Sequence, residues 1–94
     1  AATALGYYAT ASGNQTVALG STINSTAQYA TGIGYSVNSQ GEGSVAIGAG
    51  TDALGAIPAK QVQATAKNAI AIGRATQATS QDATAIGLIP MLLQ

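Results

Sequence analysis

Six times in this chain a run of small residues closes on an aliphatic–glycine pair, and the spacing of those pairs constrains the fold more than any other feature. The pairs are Leu5-Gly6, Leu19-Gly20, Ile33-Gly34, Ile47-Gly48, Ile72-Gly73 and Ile86-Gly87, with glycine-to-glycine steps of 14, 14, 14, 25 and 14 residues. The long step is one period plus 11 residues. A fixed period of this length is the signature of stacked structural repeats. Such arrays make length and surface rather than a deep pocket.

The register within one period predicts two strands of unequal character. Counting from each glycine as zero, position +3 reads Ala9, Ile23, Val37, Thr51 and Thr76, and +5 reads Ala11, Ser25, Ser39, Ala53 and Ala78. Between them +4 is polar throughout (Thr10, Asn24, Asn38, Asp52, Gln77), and +6 is polar but for Leu54 (Ser12, Thr26, Gln40, Thr79). This period-two alternation predicts a short strand with one wet face. The second strand has none. Positions +11 and +13 are bulky or β-branched, as in Val17/Leu19, Val45/Ile47 and Ile70/Ile72, while +10 and +12 are small but hardly polar, as in Ser44/Ala46 and Ala69/Ala71. A strand without a polar face is usually buried on both sides. Turn residues fall between the two strands at +7, where Gly13, Ala27, Gly41, Gly55 and Ser80 stand, and glycine at zero admits the positive φ of a tight corner. The chain therefore reads as an all-β parallel solenoid of two-strand coils.

Side-chain volume suggests which face is inside. Two alanine walls would bring the sheets closer than the ~10 Å of ordinary packed sheets. The roll core is therefore assigned to the large column: Val17, Leu19, Ile33, Val45, Ile47, Ile70, Ile72 and Ile86. The small column, Ala18, Gly32, Ala46, Ala71 and Ala85, is then left pointing outward against a second copy of the chain. Composition points to association as well. Of the 94 residues 21 are alanine, with no Phe or Trp, so a lone roll has few large side chains to offset a backbone ordering cost of ~1–2 kcal/mol per residue.

Several functions are set aside on composition. Three basic and three acidic residues leave no net charge, hence no electrostatic footprint for nucleic acid. Without Cys or His there is no thiol metal site, and the commonest general base is missing; neither a cofactor nor a metal is expected. Glu42, Asp52 and Asp82 fall on different coils with no nucleophile arrangement beside them, so the chain is not expected to be an enzyme. No run approaches the ~18 apolar residues of a membrane span, so no direct membrane insertion is expected of this stretch. The pattern is already running at Ala1, and the chain reads as part of something longer.

Three stretches, Gly43-Ser44-Val45-Ala46-Ile47-Gly48, Asn68-Ala69-Ile70-Ala71-Ile72-Gly73 and Asp82-Ala83-Thr84-Ala85-Ile86-Gly87, resemble the head repeat of trimeric autotransporter adhesins of the YadA type. The resemblance covers most of residues 2–87. It implies a left-handed parallel β-roll assembled as a homotrimer, carried on the outer surface of a Gram-negative bacterium. It also implies adhesion to host extracellular matrix proteins or cell-surface receptors. The division expected is a head roll over 1–87 with an insertion at 56–66, followed by an apolar tail at 88–94 that is a cap, another element or foreign to the head.

Candidate ligand contacts are Lys60, Gln61 and Gln63, because loops on a regular scaffold often carry binding residues, together with Asn24 and Asn38 of the polar column. Two plainer roles stay open: the insertion as an inter-subunit, capping or passive loop, and the asparagines as a ladder between coils. Tyr7, Tyr8, Tyr29 and Tyr35 fall around the corners, either as interface anchors or as corner covers. A spacer without a ligand of its own, and an ice- or crystal-binding solenoid, are the alternative functions.

Overall fold

The computed structural model describes residues 1–51 and 60–87. They form nine strands and no helix: β1 (Thr3–Leu5), β2 (Ala9–Ala11), β3 (Val17–Ser25), β4 (Thr31–Ser39), β5 (Val45–Ala49), β6 (Val62–Ala64), β7 (Ile70–Ile72), β8 (Gln77–Ala78) and β9 (Thr84–Ile86). Every pairing between strands is parallel and joins equivalent positions of successive coils. Thr3 faces Val17, then Thr31, Val45, Ile70 and Thr84 along one wall. Ala9 faces Ile23, then Val37 and Val62 along the other, and Gln63 faces Gln77. β3 and β4 run through a corner and belong to both walls. The 14-residue period is thus one turn of a β-solenoid, as the glycine spacing predicts.

The corners turn on left-handed residues. The glycines at zero have φ between 117° and 144° in all six coils, and +2 is left-handed in Tyr8, Thr22, Ser36 and Ala75. At the opposite corner the +10 amide bonds the +7 carbonyl, as from Ala30 to Ala27 and from Ala69 to Ala66. The residue at +9 of that β-turn is left-handed: Gln15, Tyr29, Gly43, Asn68 and Asp82, with φ of 57–69°. A positive φ at the third turn position favours Gly and Asn and is tolerated by Asp, so Gln15 and Tyr29 carry strain that the stacked coil must over-determine.

The burial reverses the face assignment made from volume. Ala18, Ala46 and Ala71 are wholly buried within the single roll, Gly32 is buried, and Ala85 packs on the same core. None of the proposed core residues is buried: Val17, Leu19, Ile33, Val45, Ile47, Ile70 and Ile72 are half-exposed, and Ile86 is exposed. The reason lies across the roll. The +3 column supplies Ile23, Val37 and Val62, all fully buried, and these fill the space that the small wall leaves. A Cβ on Gly32 would come within 2.8 Å of the Ile23 Cγ2; the glycine makes room for the isoleucine rather than for another subunit. Small residues face large ones, and the aliphatic column is turned out.

The insertion is also shifted. Val62 pairs with Val37 and Ala64 with Ser39, so the coil leaves after Gly50 and resumes at Val62, not around 56–66. Thr51 and Lys60 close the excursion with an antiparallel bridge, the Lys60 amide donating to the Thr51 carbonyl at 3.1 Å. Val62, Gln63, Ala64 and Thr65 therefore take the +3 to +6 places given to Thr51, Asp52, Ala53 and Leu54. Asp52, Ala53 and Leu54, like the tail at 88–94, lie outside the described residues.

Candidate functional site

With the core assigned, each wall presents one outward face, and the two faces have opposite chemistry. The wall of β1, β5, β7 and β9 with the first halves of β3 and β4 shows Val17, Leu19, Thr31, Ile33, Val45, Ile47, Ile70 and Ile72, each half-exposed in the single chain. At its two ends Leu5 and Ile86 are 70% and 69% exposed. A continuous aliphatic face of this kind is uncommon on a monomeric protein and marks an interaction surface. No charged residue interrupts it.

The other wall, formed by β2, β6, β8 and the second halves of β3 and β4, turns two polar columns outward. The register correction makes both uniform. The +4 column becomes Thr10, Asn24, Asn38, Gln63 and Gln77, losing its one acid, and the +6 column becomes Ser12, Thr26, Gln40, Thr65 and Thr79, losing its one leucine. All ten are half-exposed or exposed and uncharged.

Four of the five candidate contacts chosen from the sequence meet on this wall. The Asn24 Nδ2 donates to the Asn38 Oδ1 at 3.1 Å, and the Asn38 Nδ2 donates to the Gln61 Oε1 at 2.6 Å. Gln63 sits beside Asn38 in the β-ladder. Lys60 stands at the edge, tied through its amide to Thr51. The ladder reading of the asparagines therefore holds for this trio. Replacing Asn38 by Ala removes both bonds at a part-buried site, and we expect a loss of about 1–2 kcal/mol, read as a fall of several degrees in the melting temperature.

The charges lie elsewhere. Lys67 and Glu42 form a 3.6 Å ion pair at the +8 corner, with side chains 58% and 48% exposed, a geometry that contributes little to stability. Asn68 donates to the Asp82 carboxylate on the next coil at 3.1 Å. Among the described residues no three acidic, His or Cys side chains stand together as metal ligands would. Tyr7 and Tyr8 are exposed at the corner before β2, with ring centroids 4.3 Å apart.

Against family models the chain matches the YadA head domain repeat over residues 1–22, 25–51 and 64–88. The chain belongs to the YadA head-repeat family. The gaps in the match fall at Ile23 and Asn24, within β3, and across the insertion, which the regular period does not accommodate. No curated protein and no solved structure matches it. In this YadA-type head the described corners, core and both faces are built from the repeat itself.

An insertion at 56–66 hides the polar face as a continuous surface, because it leaves Asp52 and Leu54 in the two columns that Gln63 and Thr65 occupy. The signal was present in the sequence. Val62-Gln63-Ala64-Thr65 repeats the bulky, amide, small, polar order of Val37-Asn38-Ser39-Gln40, which Thr51-Asp52-Ala53-Leu54 does not.

Proposed function

We propose that this chain is the adhesive head of a trimeric surface protein, its three rolls joined through the aliphatic faces and their polar faces directed outward to host matrix proteins or cell-surface receptors. The observation that carries this is the aliphatic column of Ile33, Ile47, Ile70 and Ile72. Those residues stand open in one chain, in a family whose heads are parts of trimeric adhesins. Covering what each such side chain still exposes contributes part of the ~1.5–3 kcal/mol of full burial, and a column of them adds to the apolar burial of the alanine-rich core. Adhesion by the assembly is multivalent. Three copies present the same weak site, and linked sites gain roughly 10²–10⁴ over a single one. The place of action is the bacterial exterior.

The test compares the unmodified chain with Ile47→Arg on surfaces coated with matrix proteins and on host cells. We expect the unmodified trimer to be retained with slow dissociation, and the monomeric variant to be lost on washing, as an avidity difference of roughly a hundredfold or more requires. If the trimer is retained on none of these surfaces, the head is a spacer and adhesion lies elsewhere on the fibre. If light scattering gives a monomer for the unmodified chain, the assembly itself is wrong.

A further inference from the structure

The polar wall has a chemistry narrower than adhesion in general. Its ten outward positions, Thr10 to Gln77 and Ser12 to Thr79 in two columns, carry only hydroxyls and carboxamides. The described charges sit at the corners or, for Lys60, at the edge. A phosphate, sulfate or acidic peptide would exchange its hydration for neutral dipoles alone, and a buried charge without a partner is disfavoured. Amide and hydroxyl groups, each donor and acceptor at once, match a ligand that is itself an array of hydroxyls.

Geometry adds order to that set. Rungs repeat every ~4.8 Å along the solenoid, and the two columns lie ~6.7 Å apart across it, so the face presents its polar groups as a regular grid. The hydrogen bonds from Asn24 to Asn38 and from Asn38 to Gln61 hold the amides of this column in place. Each Asn has two amide hydrogens, and the ladder uses one, leaving the second for a ligand at little further cost in side-chain ordering. At the head of β2, Tyr8 is 71% exposed beside the 68% exposed Tyr7, offering apolar ring surface next to Thr10 where the polar columns begin.

From this arrangement we propose that the outward polar wall binds an extended neutral polysaccharide, laid across several rungs with its hydroxyls on the amide and threonine columns and a sugar face against the Tyr7–Tyr8 pair. The proposal rests on the adhesive reading above and names the ligand class of the same face.

The experiment applies the unmodified trimer to a glycan array holding neutral, sialylated and sulfated oligosaccharides, and in parallel to host cells and matrix proteins. Retention on neutral chains of several sugars, with sialylated and sulfated chains at background, is the expected result. Thr26→Glu with Gln63→Glu, both on the outward face, should weaken that retention at least tenfold while the circular dichroism and trimer mass stay unchanged. Tyr8→Ala should weaken it severalfold, and Glu42→Gln, at the corner, should leave it unaltered. Preference for sulfated or sialylated chains, or equal retention of the doubly charged variant, overturns the assignment. Retention on cells or matrix proteins with none on neutral glycans overturns this inference and leaves the adhesive reading standing. No retention on any surface overturns both.

Discussion

Arginine in place of Ala46 should prevent the roll from folding, whereas arginine one residue later, at Ile47, should leave a folded monomer. Ala46 has no exposed surface and lies in the core with Ala18, Ile23, Val37 and Val62. An arginine there adds a long side chain to a filled space, at about 1–3 kcal/mol, and carries a charge with no acid among the core residues to meet it. An uncompensated buried charge costs several kcal/mol more, and a domain of this kind has about 5–15 kcal/mol of stability in all. Ile47 points the other way and is half-exposed in the single chain, so its replacement leaves the core untouched, and in the proposed trimer it places three charges against one another at the aliphatic faces. Circular dichroism and light scattering separate the cases: Ala46→Arg should lose its β spectrum and accumulate as aggregate, and Ile47→Arg should keep the spectrum at one third of the assembled mass. A folded monomer from Ala46→Arg, beside an intact trimer from Ile47→Arg, would return the alanines to the outer face.

That pair of neighbours also marks how far the sequence could be read. The glycine clock sufficed for the solenoid, the two strands per coil and their parallel stacking, because each depends on spacing alone. Period two then divides a strand such as Val45-Ala46-Ile47 into two faces without saying which is inside. The answer depends on residues that the fold brings across the roll from other positions in the chain, such as Ile23, nine positions before Gly32. Gly32 is small because Ile23 stands opposite, and no local pattern contains that contact. The choice of the large column as core rested on the ordinary rule that big apolar residues are buried. In the proposed trimer that rule would apply to the complex, whereas in the single roll the large column is not buried.

The insertion misled for a related reason. Steps of 14 and 25 residues measure its length but not its position, and an 11-residue excursion can slide along the coil without disturbing the glycines. Strand pairing of Val62 with Val37 removes the freedom, and with it Asp52 leaves the polar column. Left-handed Gln15 and Tyr29 at the +9 corner are likewise illegible, since their types give no hint of a positive φ that only stacking enforces.

Two glycines of positive φ should respond in opposite ways to a side chain. Gly34 has φ of 130°, beyond the well that non-glycine residues visit, and a Cβ built on it would overlap the Gly48 carbonyl oxygen of the next coil. Since every coil places a glycine there, the carbonyls and α-carbons stack too closely for any substituent, and relief at one rung displaces the next. Gly34→Ala combines a backbone strain of about 1–3 kcal/mol with that overlap. We expect a loss of at least about 3 kcal/mol, and a melting temperature lower by more than about 10 °C. Gly43 has φ of 69°, inside the left-handed well, and occupies the +9 column where Asn68 already sits at φ 61°. Its Cβ would approach only the Asn68 Oδ1, at 2.9 Å, the far end of an exposed side chain that can move. Gly43→Asn should therefore change stability by less than about 1 kcal/mol, the loss of glycine freedom in the unfolded chain offsetting the mild strain. Thermal melts of both variants at one protein concentration decide the matter. Equal destabilisation would mean that the two corners hold their backbone alike, and the zero column would lose its standing as the one place in the coil where only glycine fits.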